Sequence, residues 1–117
     1  MKTFFLTGFT FGVALVSQSV FAQSAQPNAM MLAQANDRCM TTYAVRMTKT
    51  DAPDDKIFAS AIEGCKDLKT QLYTAIDAEY AAAQASDLKA QLDAQAKPNF
   101  LNLLQKIRTD RAQRAGN

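Results

Sequence analysis

From residue 29 onward the apolar positions recur at three- and four-residue steps in three stretches, separated by residues that favour turns. The first runs from Met30 to Lys49 without Gly or Pro and places Leu32, Ala35, Cys39, Tyr43 and Met47 on one helical face. It ends at Thr50-Asp51-Ala52-Pro53-Asp54-Asp55. In that turn Asp51 can cap, Pro53 fits a first helical turn because its missing N–H would be unpaired there, and Asp54 and Asp55 suit the positive end of a helix dipole.

A second helix is expected from near residue 52, with Phe58, Ala61, Ile62, Cys65, Leu68, Leu72, Ile76 and Tyr80 at helical spacing and good helix formers onward to Ala96. Unbroken, it would be about 65 Å long. Ser86-Asp87 is the expected interruption, because both residues favour caps over helix interiors. Lys97-Pro98-Asn99 is a firmer boundary, after which Phe100, Leu101, Leu103, Leu104 and Ile107 form a third stripe that fades near Ala115-Gly116.

If the first two helices fold back on one another about Ala52, facing positions lie at equal distances on either side of it. Cys39 and Cys65 are each thirteen residues away, Leu32 and Leu72 each twenty, and Tyr43 and Ala61 each nine. The cysteine register and the apolar stripes therefore agree. The reading is an all-α domain over residues 29–115: an antiparallel helical hairpin stapled by a Cys39–Cys65 disulfide, plus a C-terminal helix, three or four helices in all. No run of alternating β-branched residues calls for a sheet.

The first 22 residues have a different pattern. Lys2 gives one positive charge, an apolar run extends from Phe4 to Val16, Ser17-Gln18-Ser19 breaks it, and Val20-Phe21-Ala22 offers a cut site. This reads as a bacterial Sec-type signal peptide cleaved after Ala22, followed by a leader over residues 23–28. An uncleaved membrane anchor is the competing reading, but a span needs about 20 predominantly apolar residues. Export to the periplasm or beyond suits a single disulfide, since an oxidising compartment keeps it formed.

Composition narrows the chemistry. The chain has no His or Trp and only two Cys, which excludes His-based acid–base catalysis, His metal ligation and multi-cysteine metal centres. No cofactor or metal site is expected, and a non-enzymatic role follows as the leading expectation. The net charge of +2 is too small to make the molecule a nucleic-acid binder. Its distribution is uneven: residues 23–96 hold seven Lys/Arg against ten Asp/Glu, and residues 97–117 hold five against one.

Several clusters have both a functional and a plainer reading. The acidic turn at 51–55 lacks the ligand spacing, central Gly and distal Glu of a calcium loop, so capping accounts for it. Glu63 and Asp67, or Asp77 and Glu79, pair carboxylates without a pocket or third partner and read as solvated helix charges. Met30, Met31, Met40 and Met47 all fall on the first helix; core packing, an adaptable binding groove and Cu(I) ligation are the readings, in that order. The Ala-rich interior makes thin layers that leave modest cavities. In the last helix Arg111 follows Leu104, and Arg114 follows Ile107, by seven positions, so both cations continue the apolar stripe. They either complement the negative end of a helix that outruns the body, or pair with acids such as Asp77 or Glu79, or form a contact surface.

In size, signal, helix content and cysteine count the chain resembles small acid-stress periplasmic chaperones of the HdeA kind. The resemblance covers architecture and no motif, and it implies a binding role without assigning residues. The repeated Leu-Thr-x-x-Gln motif of Spy-type envelope chaperones is absent. The expected function is an exported interaction protein that binds another envelope or secreted protein as inhibitor, immunity protein or chaperone. Its candidate partner surface is Met40, Met47, Lys106, Arg108, Arg111 and Arg114. The alternative is a binder of anionic envelope surfaces through the basic C-terminal helix, with Lys97 added to those cations.

Overall fold

The computed structural model describes residues 27–116, which form four helices and no strand. The signal-peptide reading of residues 1–22 and most of the leader lie outside the described residues. The helices are α1 (Ala29–Met47), α2 (Asp54–Gly64), α3 (Lys66–Glu79) and α4 (Ala82–Ala115). They make three arms: α1, then α2 and α3 as one interrupted arm running back along it, then α4 turning again to run beside both.

Helix α1 starts at Asn28, whose Oδ1 accepts the Met31 N–H at 2.9 Å. The Ala29 N–H donates to Glu79 Oε1 at 2.9 Å, so a carboxylate from the end of α3 sits at the positive end of α1. At the other end the Thr48 hydroxyl donates to the Ala44 carbonyl at 2.7 Å. The turn into α2 is organised by Thr50, which donates to the Met47 carbonyl at 2.6 Å and accepts the Ala52 N–H at 3.2 Å. The capping role expected of Asp51 is not observed. Pro53 occupies the N-cap in extended conformation, and Asp54 and Asp55 open the helix.

The arm formed by α2 and α3 breaks at Cys65 (φ −107°, ψ 10°), a break the spacing of apolar residues does not announce. The hydrogen-bond ladder nearly bridges it, with the Cys65 N–H on the Ala61 carbonyl at 2.9 Å and the Lys69 N–H on the Cys65 carbonyl at 3.2 Å. Cys65 is buried and bonded to Cys39, with the two Cα atoms 6.0 Å apart. The expected staple between the first two arms is therefore present. Just before it, the Tyr43 ring lies against the Gly64 backbone, filling the space a Cβ would take.

The next corner also differs from expectation. The chain turns at Tyr80 and Ala81, both extended, where the sequence has no Gly, Pro or capping residue. Ser86 and Asp87 lie inside α4 on its exposed side, and Ala85 beside them is buried. What places the corner is burial: folding back at Tyr80 lets Ala85, Leu88 and Leu92 pack with Leu72 and Ile76, which a straight continuation would carry away. The boundary expected at Lys97-Pro98-Asn99 is likewise corrected, because Pro98 lies within α4. Proline deprives the Ala94 carbonyl of its helical donor. Both residues are exposed, so solvent can satisfy that carbonyl, while Phe100 and Leu104 on the other face hold the helix to the body.

Two separate core clusters result. One joins Ala29, Leu32, Leu72, Ile76 and Ala85 at the end of the bundle where α1 begins. The other joins Ala44, Ile57, Ala61, Phe100 and Leu104, with Phe58 against Phe100 at a ring separation of 5.5 Å. Leu32 shares a cluster with Leu72, and Tyr43 packs on the cluster of Ala61, as the register about Ala52 requires.

Candidate functional site

The sequence-derived partner surface is dispersed by the fold. Met47 packs on the second core cluster, and Met40 both packs on that cluster and lines the space between the arms. Arg108 reaches Asp54 at 2.5 Å, and Lys97 reaches Asp55 at 3.2 Å. Arg111 turns onto the end of α1, with Nη1 2.6 Å from Thr48 Oγ1 and Nη2 2.7 Å from the Val45 carbonyl oxygen. Lys106 and Arg114 are exposed. Arg111 thus does continue the face of buried Leu104, and what it meets there is the chain itself.

The carboxylates read as helix charges each find a local partner rather than one another. Glu63 pairs with Lys66 at 2.7 Å, and that contact holds the exposed Lys66 ammonium above its ordinary pKa. Asp77 pairs with Lys89 at 2.7 Å, and Glu79 holds the start of α1. Among the described residues no group of three or more Cys, Asp or Glu gathers into a metal-binding arrangement.

What the fold does assemble is a cavity of about 440 Å³ between the two core clusters. Helix α1 contributes Ala33 and Met40, the broken arm Ile62, Cys65 and Leu72, and α4 Leu92, Ala96, Phe100 and Leu103. Asn36, Asp37 and Thr41 on one side, and Asp93, Gln95 and Asn99 on the other, add polar groups. Tyr73, Asp93 and Lys69 form one network in its wall. The Tyr73 hydroxyl donates to Asp93 Oδ1, Lys69 Nζ lies 3.1 Å from the same oxygen, and that ammonium sits 5.3 Å from the Tyr73 ring centre. Burial, then the bond to Asp93, pushes the Tyr73 phenol well above its usual pKa. The same hydrogen bond, followed by Lys69, lowers that of Asp93. The network ties α3 to α4. Sequence reasoning anticipated cavities from the thin Ala layers but not their place. Ala33 and Ala96, small residues at inward positions of two different helices, were the available signal.

A second exposed feature lies at the end of the bundle where α1 begins. Met30 and Met31 are 72% and 52% exposed, and Tyr80, next to the residue that holds the Ala29 N–H, is 44% exposed. No protein-family model, curated protein or solved structure matches the chain.

Proposed function

We propose that the protein is a small exported helical interaction protein, non-enzymatic, that binds another envelope or secreted protein through the methionine-bearing end of α1. The observation that carries this reading is the exposure of Met30, Met31 and Tyr80 at one end of the bundle. Large apolar side chains grouped at a surface favour a protein contact, and methionine adapts its shape to varied apolar partners. The Cys39–Cys65 bond is compatible with an oxidising compartment. Three of the five C-terminal cations, Lys97, Arg108 and Arg111, are engaged within the chain, which leaves Lys106 and Arg114 as a thin basis for an anionic-surface role.

Site-specific photo-crosslinking in living cells tests the reading. A crosslinker at Met31 is expected to trap one defined exported protein, one at Arg114 is not, and Met30→Gln should abolish the adduct without altering helicity. Equal trapping from both positions, or an adduct indifferent to Met30→Gln, would remove the methionine-bearing end as the contact.

A further inference from the structure

The cavity between the three arms is independent of the exposed methionines and has its own chemistry. Ala33 and Ala96 each place a single methyl where a packed bundle needs a larger side chain, so the two core clusters stop short of each other. The resulting space, about 440 Å³, lies in the size range of small-molecule sites. The polar residues Asp37, Thr41, Asp93 and Asn99 that line it are exposed, and Leu72, Leu92 and Phe100 supply an apolar wall. An apolar filling is what these walls favour.

The polar groups restrict the rest of the ligand. Three charged residues line the cavity: Lys69, Asp93 and Asp37. Lys69 is neutralised by Asp93 at 3.1 Å, while exposed Asp37 forms no ion pair among the described residues. The mouth therefore carries one uncompensated negative charge and a carboxylate that can only accept hydrogen bonds. We propose that this cavity binds a single-chain amphiphile with a cationic ammonium head, its hydrocarbon chain against Leu72, Leu92, Phe100 and Leu103 and its head at Asp37. The space is large enough to take a chain of about a dozen carbons. A fatty acid carboxylate of the same length would meet Asp37 and Asp93 with its only cation already engaged.

Calorimetry and native mass spectrometry with dodecylammonium and dodecanoate, each below its micelle concentration, test this on the full mature chain. Dodecylammonium should bind one molecule per chain, about tenfold more tightly than dodecanoate, and Asp37→Asn should bring the two within about twofold. Asp37 is exposed, so that variant keeps the fold. Ala96→Phe should fill the space and abolish binding of both; should it fail to fold, Ala33→Met is the second filling variant. Dodecanoate binding as well as or better than dodecylammonium, several ligands per chain, head-group discrimination that survives Asp37→Asn, or undiminished binding in a folded filling variant would each overturn the proposal.

Discussion

Arg111 closes the carboxy-terminal end of α1, with its guanidinium Nη2 2.7 Å from the carbonyl oxygen of Val45, a residue 66 positions earlier. A carbonyl in the last turn of a helix lacks an in-helix donor, and a cation there also meets the negative end of the dipole. Arg111→Gln is therefore expected to cost about 1 kcal/mol, or roughly 4–8 °C in melting temperature. Arg114→Gln, at an exposed position three residues on, should stay within about 0.5 kcal/mol. Arg111→Lys keeps the charge without the fork and should fall between them. Thermal melts of the three variants check the order.

Reduction of the Cys39–Cys65 bond frees a loop closed over 26 residues and should lower stability by about 3.5 kcal/mol in the chain-entropy treatment. Non-reducing peptide mapping followed by melts with and without reductant measures both the connectivity and the loss. A melting temperature insensitive to reductant would mean that α1 is held by packing alone.

The Tyr73–Asp93 contact makes stability fall at both extremes of pH. Asp93 has a depressed pKa in the fold, so its contribution is present above the ordinary carboxylate value near 4 and is lost as pH falls below it. Tyr73 has a raised pKa, so its contribution is present below about pH 10 and is lost as pH rises through the alkaline range. Asp93 is exposed, and its share should not exceed about 0.5 kcal/mol. Tyr73→Phe should remove the alkaline loss and shrink the acid one, read as melting temperature against pH for both proteins.

Pro98→Ala should stabilise the protein, because it restores a donor to the Ala94 carbonyl and removes the steric conflict with the preceding turn. The gain is expected at about 1–3 kcal/mol, offset in part by the greater freedom of the unfolded chain. Denaturant titration with an unchanged slope would confirm that the gain is local.

Gly64→Ala gives a contrasting result. Alanine ordinarily favours a helix by about 1 kcal/mol over glycine. Here the added Cβ collides with the Tyr43 ring beside the disulfide, so the substitution should destabilise. Pairing it with Tyr43→Ala, which clears the space, should restore the ordinary helix preference for alanine.

The hairpin was legible because two independent patterns, cysteine spacing and apolar periodicity, specify the same register about Ala52. The corner at Tyr80 was not legible, because Ala78 to Ala85 has no residue whose own backbone preference demands a turn. It is set by burial of Leu88 and Leu92 against residues earlier in the chain, a tertiary effect that overrides local propensity. Pro98 misled in the opposite direction: a strong local breaker is tolerated where the carbonyl it orphans is exposed. Arg111 was placed on the right face, whereas Arg114, read onto the same stripe, is exposed, and the partners that Lys97, Arg108 and Arg111 find, Asp55, Asp54 and Val45, depend on how α4 crosses the other arms.

The unbroken course of α4 past Pro98 has a consequence for how the molecule comes apart. Ala85 on this one helix belongs to the first core cluster, and Phe100 and Leu104 belong to the second. Neither cluster can melt without stripping a partner from the rod that walls the other. Hydrogen exchange should consequently report a single cooperative opening shared by both ends, with the amides around Ala94 to Pro98 exchanging earlier as a local defect inside it. Two buried regions separated by an open space are thus expected to open, through one helix, as a single thermodynamic unit.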